Sequence, residues 1–130
     1  NIIGEINKLS NDLKKILKKT IKLTEKNKKI LVNLAINYGS HNEILNAAKK
    51  NKKKKINFKN FEKKLYTNNL PNPDILIRTG GYQRLSNLML WQLGYLELFF
   101  LKKLWPDFNK NDLFKIVKKY KREKRNFGSI

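Results

Sequence analysis

Pro73-Asp-Ile-Leu-Ile-Arg-Thr-Gly-Gly-Tyr-Gln-Arg-Leu-Ser-Asn87 runs from an apolar strand pattern through a glycine pair to arginine, serine and asparagine. Residues 74–78 read as a strand, and Gly80-Gly81 as a tight turn. Ser86 and Asn87 stand where a helix over residues 86–95 would begin. A hydroxyl, backbone N–H groups and a helix N-terminus would then converge on one point, which suits a phosphate. Arg78 and Arg84 add planar forks that match phosphate oxygens. The expected ligand is a phosphorylated substrate. The competing reading makes both arginines partners in surface salt bridges.

Composition sharpens this. The chain carries 30 Lys+Arg against 10 Asp+Glu, a formal net charge of +20. Arg occurs only at positions 78, 84, 122 and 125, and every other basic residue is Lys. Two of the few arginines fall in one short loop, where fork geometry matters. The charge suggests an acidic partner, but abundant Lys, Asn and Ile equally fit an A/T-rich coding bias. The lysines are scattered, and the run at residues 52–55 lacks the interleaved aromatics of a nucleic-acid platform, so no specific nucleic-acid partner is expected.

The 130 residues give room for one domain, 1–130, and 40% hydrophobic content suffices for a core. The absence of Cys excludes disulfides and thiolate metal sites. His41 is the one histidine, so a transition-metal site is not expected. It is placed in the first turn of a helix. Residues 88–101 are the nearest approach to a membrane span, and Gln92, Gly94 and Glu97 interrupt them. The chain starts at Asn1 and its one Met is Met89, from which truncation is the simplest expectation. No apolar leader segment lies near Asn1.

Ile2-Ile3-Gly4 reads as the end of a strand, residues 11–25 as an amphipathic helix, and residues 30–36 as a largely buried strand. Ser40 and Glu43 fit a capping box opening a helix, and Asn57 or Asn60 would cap a short helix over residues 61–66. Residues 97–101 form an aromatic-rich strand, Trp105-Pro-Asp-Phe108 a turn, and residues 109–125 a final helix. Alternating strands and helices predict an α/β fold, a parallel sheet flanked by helices. Glu97 sits at a strand start, where one carboxylate could help hold Mg²⁺ on a phosphate; the alternative is a solvent-facing edge residue. Trp91, Tyr95, Phe99 and Phe100 read as core aromatics, with a tunnel lining as the alternative.

Arg78-Thr-Gly-Gly, Arg84-Leu-Ser-Asn, Leu90-Trp-Gln-Leu-Gly-Tyr-Leu-Glu-Leu and Leu104-Trp-Pro-Asp-Phe together resemble the C-terminal half of cis-prenyltransferases, of the undecaprenyl diphosphate synthase type. Asn33-Leu-Ala-Ile-Asn-Tyr-Gly and Ile3-Gly4-Glu5 match further blocks in the same order. The resemblance implies condensation of isopentenyl diphosphate with an allylic prenyl diphosphate, using Mg²⁺. It implies that Arg78, Arg84 and Ser86 hold the diphosphate of isopentenyl diphosphate and that Glu97 helps place the metal. It further implies a cytoplasmic homodimer with peripheral membrane contact. Tyr82 stands where the family usually has Glu, Ser40 and His41 where Gly and Arg are common, and Asn126-Phe-Gly128 where Arg-x-Gly is usual. The Asp-Gly-Asn-Gly-Arg block that carries the family's catalytic Asp has no counterpart here, so no catalytic residue is assigned and these 130 residues alone are expected to be inactive. A non-catalytic subunit of a heteromeric prenyltransferase and a basic nucleic-acid-binding domain are the alternatives.

Overall fold

In the computed structural model, which describes residues 1–51 and 57–124, the chain forms two compact units. The first comprises Asn1–Pro71 with Asn87–Met89, and the second Asn72–Ser86 with the described residues from Leu90 onward. Among the described residues each contains a two-stranded parallel sheet, so the α/β class and the parallel pairing are as the alternating pattern predicted, with two small sheets in place of one.

In the first unit, β1 (Ile2–Ile3) pairs in parallel with β2 (Leu34–Ala35), Ile2 opposite Leu34 and Ile3 opposite Ala35. Parallel neighbours need a crossover, and α1 (Asn11–Thr24) supplies it. Ser10 caps α1 by accepting the Leu13 N–H. Gly4 ends β1 at φ +126°, and a Cβ there would lie 2.1 Å from the Ile36 carbonyl oxygen. Only glycine fits. α2 (Ser40–Lys50) and α3 (Phe58–Glu62) complete the unit, with Ile3, Ala47, Phe61 and Leu65 buried.

Three expectations for this unit need correction. Only Leu34–Ala35 of residues 30–36 is strand, and Ile30 is 79% exposed. β1 offers two residues of pairing, and the neighbouring apolar side chains line an open groove of about 350 Å³ with Leu17 and Ile21 of α1. Second, the short helix begins at Phe58 and ends at Glu62, not over 61–66; Asn57 caps it by accepting the Asn60 N–H.

Third, Ser40 and Glu43 form no capping box. Gly39 is the N-cap residue and makes no side-chain cap bond. The first amides of α2 are instead taken by Asn87: its carbonyl accepts Ser40 N–H and its Oδ1 accepts His41 N–H, both at 2.9 Å. Glu43 points inward, 1% exposed, and accepts from the Tyr38 hydroxyl at 2.5 Å and the Tyr66 amide at 2.7 Å. Burial, and then the bond to Glu43, pushes the Tyr38 hydroxyl well above the usual tyrosine range.

In the second unit, β3 (Ile75–Arg78) pairs in parallel with β4 (Glu97–Phe100). α4 (Lys110–Tyr120) follows a 3-10 turn at Trp105–Asp107. A reciprocal capping box starts α4: Asn109 accepts the Asp112 amide, and Asp112 accepts the Asn109 amide. Asp112 also pairs with Lys103 at 2.7 Å. At the far end of α4, the Tyr120 hydroxyl donates to Asp74 Oδ1 at 2.9 Å, next to the start of β3. Ile116 is the buried apolar residue of α4.

The helix expected over residues 86–95 does not form; these residues run through turns. Ser86, Asn87 and Met89 have φ of 50°, 59° and 48°. L-residues in that left-handed region cannot continue a right-handed helix, so apolar spacing alone misled here. Trp91, Phe99 and Phe100 are half-buried and Tyr95 is 67% exposed, so none is fully buried in a core. The final helix stops at Tyr120 rather than residue 125. Arg125, Asn126-Phe-Gly128 and the lysine run at 52–55 lie outside the described residues.

Candidate functional site

β3 delivers Arg78 to the carboxyl end of its strand, where parallel sheets commonly present ligand-binding groups. The Arg78 carbonyl accepts Leu101 N–H, which extends the β3–β4 ladder by one bond. Gly80 and Gly81 then turn the chain at φ 90° and 80°, angles that glycine adopts without a Cβ penalty. Their amides donate to the carbonyls of Lys103 and Leu101, both at 2.8 Å. The loop is thereby fixed to the chain leaving β4.

This corrects the expected anion site. The two glycine amides are occupied by backbone carbonyls, and Ser86 does not open a helix, so neither a backbone nest nor a helix N-terminus faces a ligand here. What the loop assembles is a group of side chains. Arg78 Nη1 donates to Ser86 Oγ at 3.0 Å and to the Arg84 carbonyl oxygen, and so gathers the far end of the loop onto β3. The Arg84 guanidinium lies over the Tyr82 ring, 4.1 Å from its centroid. Among the described residues neither arginine pairs with an Asp or Glu; the ion pairs are Glu5–Lys8 and Lys103–Asp112. The salt-bridge reading of the two arginines therefore fails. Arg78 thus contacts the Ser86 side chain and the Arg84 backbone, while the Arg84 guanidinium lies over Tyr82 in the same loop and unit.

Glu97 stands apart from that cluster along the sheet. It pairs in register with Ile75, whereas Arg78 pairs with Phe100. Three residue positions at strand rise amount to about 10 Å. Its amide donates to the Asp74 carbonyl at 2.9 Å, and its side chain is partly exposed. Among the described residues no group of three or more His, Cys, Asp or Glu could hold a metal ion. A single partly exposed carboxylate still fits Mg²⁺, which takes one or two carboxylates and completes its octahedron with phosphate oxygens and water. His41 lies exposed in the first turn of α2, as expected.

Sequence reading missed two residues. Tyr82 registered only as a departure from the usual Glu, yet residues two apart in extended chain share a face, which is enough to place its ring beside Arg84. Asn87 caps α2 across 46 positions of sequence, and nothing local signals that pairing.

The family model described as "Putative undecaprenyl diphosphate synthase" matches residues 1–128. The chain is 42% identical over 130 residues to an isoprenyl transferase of Rickettsia typhi, covering 98% of this chain and 58% of that protein. It is 43% identical over 136 residues to a ditrans,polycis-undecaprenyl-diphosphate synthase, (2E,6E)-farnesyl-diphosphate specific, of Haemophilus influenzae, covering 57% of it. The chain thus spans a little over half the length of these curated relatives. Among solved structures, a "probable undecaprenyl diphosphate synthase" from Campylobacter jejuni superposes with a TM-score of 0.91 at 32% identity, covering 99% of this chain and 62% of that one. Lavandulyl diphosphate synthase from Lavandula x intermedia, crystallised with dimethylallyl diphosphate, matches equally well at 35% identity over 59% of its chain. Matched along nearly its whole length in sequence and in fold, this chain belongs to the undecaprenyl diphosphate synthase family of cis-prenyltransferases.

Proposed function

We propose that these residues form the C-terminal part of one larger cis-prenyltransferase domain, and that their role is to hold isopentenyl diphosphate while its chain is joined to an allylic prenyl diphosphate. In that reaction the allylic carbon–oxygen bond breaks and diphosphate leaves. The double bond of isopentenyl diphosphate attacks the allylic cation, and a proton is then lost. The observation that carries the reading is the Arg78–Ser86 contact at 3.0 Å beside Arg84, in a loop with no carboxylate partner for either arginine among the described residues. Charged forks outside an ion pair are suited to an incoming anion.

Arg78 gathers the loop and offers charge, Ser86 offers its hydroxyl, and Arg84 presents a bidentate fork. Glu97 is the carboxylate that would hold Mg²⁺ against the diphosphate; when bound, the metal neutralises phosphate charge. The family resemblance supports a homodimer acting in the cytoplasm with peripheral membrane contact. Among the described residues, no helix is long and apolar enough to cross a membrane. The test is equilibrium binding of radiolabelled isopentenyl diphosphate to the full-length protein carrying these residues. Alanine at Arg78, Arg84 or Ser86 should each weaken it, and unchanged binding in all of them would remove the assignment.

A further inference from the structure

We infer that Tyr82 is a positioning residue for the diphosphate site, its ring holding the Arg84 fork flat and ready for the ligand. The inference rests on the reading of Arg84 given above. Arg84 is exposed, and an exposed arginine ordinarily samples many rotamers, whose freedom is lost when a ligand fixes it. Here its guanidinium carbon lies 4.1 Å from the Tyr82 ring centroid, well inside the range of a cation–π contact.

The chemistry of the contact favours binding. A guanidinium carries all its N–H donors in its plane, so an aromatic ring that covers the face leaves the edge free for phosphate oxygens. A carboxylate at position 82 would instead compete for that edge. Two further bonds hold the ring's own platform: Gly80 and Gly81, just before Tyr82, are tied by their amides to Lys103 and Leu101. From the other side, Arg78 holds the Arg84 carbonyl and the Ser86 hydroxyl. The backbone of residues 80–86 is thus clamped at both ends, and the Tyr82 ring fixes the side chain between the clamps. The ring is 58% exposed, so its place in the loop is not explained by burial in a core.

The test is calorimetric titration of inorganic diphosphate into the full-length protein, in the Tyr82→Phe, Tyr82→Leu and Arg84→Gln variants and the Tyr82→Leu/Arg84→Gln double variant. Tyr82→Phe should bind within about two-fold of wild type, because the ring remains. Tyr82→Leu should bind about two- to five-fold more weakly, the worth of an exposed cation–π contact. In the Arg84→Gln background, Tyr82→Leu should cause no further loss, since a ring that acts through Arg84 has nothing left to position. Thermal melting of each variant checks folding, and Tyr82→Ser replaces Tyr82→Leu if the latter does not fold. Wild-type affinity in Tyr82→Leu, an equal loss in Tyr82→Phe, or a full loss persisting without Arg84 would each overturn the inference while leaving Arg84 in the site. Wild-type affinity in Arg84→Gln would overturn the assignment of Arg84 itself, and the role of Tyr82 with it.

Discussion

Arg84 and Arg78 carry the same charge but occupy different positions, and the difference predicts different variants. Arg78 is tied to Ser86 Oγ and the Arg84 carbonyl, whereas the exposed Arg84 guanidinium lies over the Tyr82 ring. Arg84→Lys keeps the charge and loses the fork. A charge-assisted hydrogen bond is worth about 1.5–3 kcal/mol, so kcat/KM for isopentenyl diphosphate in the full-length enzyme should fall on the order of 10- to 100-fold. The allylic substrate should be little affected, and Arg122→Lys on the surface should be silent. Steady-state kinetics with each substrate varied in turn decides it: a loss confined to the allylic substrate would contradict the assignment. Glu43 offers a contrasting residue-scale expectation. It is 1% exposed and accepts from Tyr38 and the Tyr66 amide, so Glu43→Ala removes the acceptor of two part-buried donors. A loss of stability of about 1–3 kcal/mol is expected by denaturant unfolding, with no selective effect on diphosphate affinity.

At the level of elements, helix starts separate what sequence reveals from what it hides. α1 and α4 were legible because apolar spacing coincided with local caps: Ser10 reaches Leu13, and Asn109 reaches Asp112. β3, the glycine turn and β4 were legible for a similar reason, since strand pattern and turn chemistry are each written within a few residues. The failures share one cause. The cap of α2 comes from Asn87 rather than Ser40, and the expected helix at 86–95 is broken by three left-handed residues, one of them the same Asn87. Tertiary bonds overrode local propensity in both places. The arginine–serine cluster was legible because its members lie on one short loop; the absence of a helix behind Ser86 was not. Asn109→Ala should accordingly cost about 1 kcal/mol, read as a lower Tm with α4 still formed. Asp112 adds a pH dependence. The hydrogen bond to Lys103, and then the Asn109 amide, lower its carboxyl below the ordinary range. Its contribution is therefore present above the unfolded pKa and lost as pH falls through the carboxylate range. Asp112→Asn should flatten the fall in Tm on acidification; an unchanged slope would show that the pair adds nothing in solution.

For the whole molecule, the decisive quantity is apolar surface that stays in water. Ile30, Leu31, Val32 and Leu34 are each at least half exposed beside the groove that α1 lines, and Ile16 and Leu23 of α1 are 60% and 73% exposed. In the second unit Leu104, Trp105 and Phe114 are exposed as well. Scattered surface apolar residues are ordinary, but a contiguous run leading into a short parallel strand is different. β2 pairs with β1 over two residues, and Ile30, Leu31 and Val32 of the segment that sequence marked for burial stay 79%, 64% and 61% exposed. Burial of such surface is favourable by roughly 25 cal/mol per Å², and a second copy is the partner always at hand. The 130-residue polypeptide, made on its own, should therefore self-associate, and the effect should grow with concentration. Sedimentation velocity over a range of loading concentrations checks this, and a single concentration-independent monomer would refute it. Ile30→Lys and Val32→Lys together should shift the distribution toward monomer, because two charges on that face oppose its burial. The same polypeptide should incorporate no radiolabelled isopentenyl diphosphate with farnesyl diphosphate and Mg²⁺. On the proposed reading its cluster would hold one diphosphate, but no Asp-Gly-Asn-Gly-Arg block stands in these 130 residues. Turnover above background, in monomer or assembly, would mean that the chemistry needs no more than the loop at residues 78–86 and Glu97.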